Sequence, residues 1–151
     1  MKNMSIGDRL LIGARNITTT ETKERKRNMT IITMDKAAAE NKVLTYKLTR
    51  SPETQKMSGL NDQRIDVIHY CIYEDEKPDR NGEAKKSTIL TVMTRQGEIF
   101  GTNSQTMREE FLNLVDIFGE DLEAEDGYIP VRVFKAMSKN DREFVTCTYA
   151  D

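Results

Sequence analysis

Between Ile65 and Tyr149 the spacing of apolar residues changes from two to about 3.6 and back to two. Three strand-like runs come first: Ile65–Tyr73, Thr88–Thr94 and Glu98–Thr102. A helical run, Thr106–Phe118, follows them. Two more strand-like runs, Tyr128–Lys135 and Glu143–Tyr149, close the pattern. Met107, Phe111, Leu114, Val115 and Phe118 form a single apolar stripe on the helix. Thr106 and Glu109 have the spacing of a capping box, and Gly119 is placed to supply a left-handed stop.

The strands divide their residues between two faces. Ile65 and Val67 point one way and Ile68, Tyr70 and Ile72 the other, as in a long, coiled strand serving both ends of a barrel or a strand buried on both sides. Leu90 and Val92 oppose Ile89 and Met93 in the same manner. Ile129, Val131 and Val133 predict an inward face, which leaves Tyr128, Arg132 and Phe134 outward. Val145 and Cys147 match a core face, so Phe144 should point out. Pro130, inside this fourth strand, suggests an edge or a bulge. Gln96-Gly97 predicts a tight hairpin turn, and Ser138-Lys139-Asn140-Asp141 a polar one. Glu74–Lys86, with Pro78 and Asn81-Gly82, reads as a long charged loop.

Strand, strand, strand, helix, strand, strand is the order of an OB-fold, a five-stranded Greek-key barrel. The expected class is therefore mainly β with one capping helix, preceded by a short helix and a strand. Thr33 is placed to cap a helix through Met34–Glu40. Val43–Leu48 alternates and reads as a strand that Ser51-Pro52 ends, and Gly59 marks a turn. Residues 30–151 are expected to form one OB-fold-like domain. Residues 1–29 read as a flexible basic extension, either a solvated leader or a stretch upstream of a start at Met29, with a phosphate-contacting arm as the third reading.

Charge refines this division. Residues 1–29 hold seven Lys/Arg against three Asp/Glu, whereas the other 122 residues hold 16 against 22. So acidic a body is a poor non-specific duplex binder unless its cations are gathered on one surface. No apolar run reaches the roughly 20 residues of a membrane helix, and Leu10–Ala14 is too short a patch for a signal peptide. A cytoplasmic protein is the expectation. Cys71 and Cys147 fall in predicted strands and fit buried free thiols.

Catalytic chemistry finds little footing. His69 is the only histidine, and no nucleophile motif or phosphate-cradling glycine loop accompanies it. His69, Cys71 and Cys147 offer three metal ligands without paired CxxC or HxxxH spacing. Neither an enzyme nor a metal or other cofactor is expected. Binding fits better, because single strands are held by aromatic faces that stack on bases beside cations that track phosphates. Arg132 and Phe134 share the outward side of their strand, Lys139 and Arg142 flank the next turn, and Phe144 follows. Tyr73 and Phe100 are further stackers, with Lys85, Lys86 and Arg95 nearby.

Several segments carry a family resemblance. They are Lys56-Met57-Ser58-Gly59-Leu60, Ile72-Tyr73-Glu74-Asp75-Glu76-Lys77-Pro78, Phe100-Gly101-Thr102-Asn103-Ser104, and Ser138-Lys139-Asn140 with Arg142-Glu143-Phe144-Val145-Thr146-Cys147. In these the chain is similar to the small single-stranded DNA-binding proteins of phages and mobile elements of Gram-positive bacteria. The likeness runs from about Met29 to the last residue. It implies coating of single-stranded DNA in replication or recombination; a homo-oligomer and contacts with phage or host replication proteins are further expectations. Bacterial proteins of this function end in an acidic tail tipped with proline and phenylalanine. Here the last strand runs into Tyr149-Ala150-Asp151, so recruitment through such a tail is not expected. The alternative is a phage regulator or inhibitor that uses the same barrel to bind a protein.

Overall fold

The computed structural model describes residues 28–151. The expected extension over residues 1–29 thus lies outside the described residues, apart from Asn28 and Met29, which open the first strand. The elements are β1 (Asn28–Met34), α1 (Lys36–Ala39), α2 (Lys42–Arg50), β2 (Gln55–Lys56), a 3₁₀ turn (Met57–Gly59), β3 (Gln63–Pro78), β4 (Ala84–Thr94), β5 (Ile99–Thr102), α3 (Gln105–Glu123), β6 (Ile129–Met137) and β7 (Glu143–Tyr149). The strands order as β2-β5-β4-β3-β6-β7, with β1 also paired to β3. Strands β3 to β7 and helix α3 reproduce the expected barrel order, in a curled half-barrel sheet with a helix.

The core explains the curl. Ile65, Val67, Tyr70, Ile72, Leu90, Val92, Phe100, Ile129, Val131, Val133, Val145 and Cys147 face one interior. Helix α3 closes it with Met107 and Phe111, while Leu114, Val115, Phe118 and Leu122 pack at the margin. The stripe read from the sequence is the buried one. Its cap differs: Ser104 accepts from Met107 N (3.2 Å), rather than Thr106 pairing with Glu109. The helix also runs through Gly119 to Glu123; among the described glycines only Gly82 and Gly97 take positive φ. The chain turns back instead at Glu125-Asp126, with Asp126 at φ +58° and Gly127 N donating to Ala124 O (3.0 Å); a Cβ at Gly127 would run into the Asp121 carbonyl.

In β3 the core positions change parity. Val67 and Tyr70, three apart, both face the barrel interior, whereas Ile68, Cys71 and Tyr73 face a second cluster outside it. The expectation that Ile65 and Val67 oppose Tyr70 and Ile72 is thereby corrected. Asp35 fills the irregular step: its Oδ1 accepts from Tyr70 N (2.8 Å). Its Oδ2 also accepts from Ala38 N (3.1 Å), so Asp35 and not Thr33 caps α1.

The second cluster joins Ala38, Leu48, Cys71, Tyr73, Met93 and Ile99. It is covered by α2, where the sequence suggested a strand. Asn41 caps that helix by accepting from Val43 N and Leu44 N, and Leu44 with Leu48, four apart, supplies the packed face. Alternation of Leu44, Tyr46 and Leu48 misled, since Tyr46 is exposed. Thr91 Oγ1 then donates to the Leu48 carbonyl (2.6 Å), fastening α2 to β4.

The seam between β5 and β7 is bridged rather than laddered. Ser104 Oγ donates to Val145 O (2.7 Å), and Met57, wholly buried, comes from the 3₁₀ turn that touches both strands. Pro130 marks no edge, since β6 lies between β3 and β7. Its carbonyl accepts from Ala150 N (3.0 Å), so its nitrogen lies on the β7 side, where that ladder ends.

Glu76–Lys85 belongs to a separate compact unit. Glu74–Lys86 is not the long loop expected, because β3 reaches Pro78 and β4 starts at Ala84. Asp79 N donates to Glu83 O (2.8 Å), the Asp79 carboxylate accepts from Asn81 N and Glu83 N, and Gly82 sits at φ +80°. Arg80-Asn81 is therefore the centre of a tight turn closed by Gly82 N to Asp79 O (3.1 Å), and Gly82 supplies the left-handed residue that follows it.

Candidate nucleic-acid interface

Two halves of the barrel's outer surface differ. Over β3, β4 and β5 it is occupied by the second cluster and α2. Over β6 and β7 the outward residues remain partly exposed. Register decides which they are: Arg132 pairs with Thr148, Phe134 with Thr146, and Ala136 with Phe144. Phe134 and Phe144 are thus diagonal neighbours on one face, close enough for both rings to meet one bound chain. Thr146, opposite Phe134 and two residues from Phe144, is buried in that corner. Both phenylalanines keep intermediate exposure, as their outward phase predicted.

Cations border this face. Arg132 Nη1 donates to the Asp62 carbonyl (3.1 Å) and lies 3.5 Å from its carboxylate, with the side chain still 42% exposed. Lys139 and Arg142 are exposed in the β6–β7 turn. Ser138 shapes that turn: its N donates to Arg142 O (2.8 Å) and its Oγ accepts from Asn140 N and Arg142 N. Lys86 is exposed on β4, and Lys85 is exposed within the separate unit.

Two expected stackers do not face outward. Phe100 is 4% exposed and belongs to the barrel core, because the turn at Gln96-Gly97 sets it opposite Val92. Tyr73 is 5% exposed in the second cluster. Its remaining surface lines a groove of about 710 Å³, with Lys56, Gly101, Asn103, Gln105 and Phe144 around it. Phe144 therefore belongs both to the open face and to this groove.

Two residues beside this face were not among the candidates read from the sequence. Arg64 pairs directly with Arg132 across β3 and β6. Tyr128 takes the Arg95 guanidinium over its ring, 4.4 Å from the centroid. Arg64 Nε donates to Asp66 Oδ1 (3.0 Å), and Arg95 Nη1 lies 3.9 Å from Asp66 Oδ2. The hydrogen bond and charge of Asp66 push the Arg64 guanidinium above its ordinary value. Only the strand register reveals this cluster, since Arg64, Arg95 and Tyr128 are remote in sequence.

The metal reading has no geometry behind it. His69 Nδ1 is 2.8 Å from Asp35 Oδ2, Cys71 lies in the outer cluster, and Cys147 in the barrel core. Among the described residues, no group of three or more His, Cys, Asp or Glu side chains is placed to hold a metal ion. Both cysteines are buried and free. Burial, then the Asp35 charge, pushes the Cys71 thiol up to about 11; burial, then Glu110, pushes Cys147 up to about 12. No helix among the described residues is long and apolar enough to cross a membrane.

The model of a protein family described as phage single-stranded DNA-binding protein matches residues 19–149. The chain belongs to that family. No curated protein and no solved structure matched it. The family agrees with the ligand class, single-stranded DNA, read from the residues.

Proposed function

We propose that the protein coats single-stranded DNA without catalysis, using the outer face of β6 and β7. Phe134 and Phe144 stack on bases, each worth roughly 1–3 kcal/mol. Arg132, Lys139 and Arg142 hold phosphates, and Lys86 adds a further cation. Tyr73 contributes from the wall of the groove that Phe144 also lines. The observation carrying this reading is the diagonal pair Phe134 and Phe144, partly exposed in a chain whose family binds single strands. Such a protein would serve phage replication or recombination in the host cytoplasm.

The test is a titration of labelled single-stranded and duplex DNA at two salt concentrations. Tight single-strand binding that weakens with salt, with much weaker duplex binding, supports the reading; equal affinity for both contradicts it.

A second reading, contact with another copy or a replication protein, has one observation in its favour. Val43 and Tyr46, three apart on α2 and thus on one helical face, are both more than half exposed. Gel filtration of Val43→Ser with Tyr46→Ser tests it. An unchanged elution volume and unchanged partner binding would remove it.

A further inference from the structure

Arg64 and Arg132 stand directly opposite each other on neighbouring strands. Like charges so placed repel, and a fold that merely needed stability there would do better with other residues. Each arginine has an acidic neighbour instead: Asp66 for Arg64 and Asp62 for Arg132. Asp66 does more than pair once. One of its oxygens takes Arg64 Nε and the other faces Arg95 Nη1, so a single carboxylate bridges two guanidinium groups. Both arginine side chains remain more than two-fifths exposed. Arg95 also lies over the Tyr128 ring, and its own backbone N donates to Asp66 O (2.9 Å), which fixes the cluster to β3.

A phosphodiester offers what the Asp66 carboxylate offers: two oxygens sharing one negative charge, at a spacing that guanidinium groups read well. We propose that Asp66 is an internal placeholder for a DNA phosphate, and that the Arg64–Arg95–Tyr128 cluster is a further subsite of the single-strand path. On binding, a backbone phosphate takes the bridging position between Arg64 and Arg95. Tyr128, with Arg95 kept over one face of its ring, offers the other face to the adjoining base. The path thereby extends from Phe144 and Phe134 past Arg132 on β6 to Arg64 on β3. Asp66 then acts as a brake on affinity, because its charge competes with the ligand for the same two arginines. This proposal rests on the single-strand reading given above.

The test uses the full chain, a fluorescein-labelled oligothymidine and a salt series, with thermal melting to confirm folding. Asp66→Asn keeps the shape and removes the competing charge, and should tighten binding about five-fold at low salt. Arg64→Gln should weaken binding about five-fold and reduce the slope of log affinity against log salt by about 0.7, one single-strand phosphate. In the double variant the gain from Asp66→Asn should vanish. The proposal is overturned if folded Asp66→Asn binds no more tightly than the parent. Should Asp66→Asn fail to fold, an unchanged salt slope in Arg64→Gln overturns it. If the parent binds and Phe134→Ala weakens it while these variants do nothing, this subsite alone falls. If the parent does not bind the oligonucleotide, the single-strand reading falls with it.

Discussion

Asp35 and Tyr70, 35 residues apart, are joined by a 2.8 Å hydrogen bond from the Tyr70 backbone N to the Asp35 carboxylate. The same carboxylate accepts from Ala38 N and lies 2.8 Å from His69 Nδ1, although Asp35 is 7% exposed. It therefore ties α1 to the step where β3 changes parity. Asp35→Ala leaves buried donors without an acceptor and should cost about 3 kcal/mol. A urea titration measures it; a loss below about 1 kcal/mol would mean that water or a neighbour replaces the carboxylate.

Phe111 tests the barrel plug. Its ring meets Tyr70 edge-on, with centroids 5.4 Å apart and planes at 66°, and it is wholly buried. Phe111→Ala should cost about 3–5 kcal/mol. The folded fraction should keep its DNA affinity, because no part of the proposed path touches this ring. Guanidinium denaturation and an anisotropy titration on the same sample separate the two effects.

The cysteines set the alkaline limit. In the folded chain burial holds both thiols protonated, with values of about 11 for Cys71 and about 12 for Cys147 against an ordinary 9.0. A folded value above the unfolded one contributes stability that is complete below pH 9. That contribution is lost as pH rises from 9 through 11 and 12, because the unfolded chain ionises first. Melting temperature should therefore fall across that window, and the double variant Cys71→Ala with Cys147→Ala should flatten the fall. At pH 8 a thiol reagent should label neither residue until denaturant is added.

How far the sequence speaks depends on whether local and tertiary demands agree. In α3 and β6 they do: Met107 and Phe111, and Ile129, Val131 and Val133, are core in both readings. In α2 they conflict. Leu44, Tyr46 and Leu48 alternate like a strand, yet the Asn41 cap and the contact of Leu44 and Leu48 with the sheet favour a helix. Phe100 was misplaced for another reason. Every other residue of β5 can face the core, and only pairing with Val92 decides which. Arg64 and Tyr128 escaped notice because their meeting with Asp66 and Arg95 depends on register across β3, β4 and β6. The Asn81-Gly82 turn was legible, but the charged residues around it concealed that both strands continue to its edges.

The central claim is that Phe134 and Phe144 form the single-strand platform. The most direct measurement is anisotropy of a labelled oligothymidine with Phe134→Ala, Phe144→Ala and the double variant, each checked for folding. Each single change should weaken binding by about 1–3 kcal/mol, and the double change by more than either, with the salt slope unchanged because no phosphate contact is lost. Binding by the folded double variant at the parent's affinity would contradict the account.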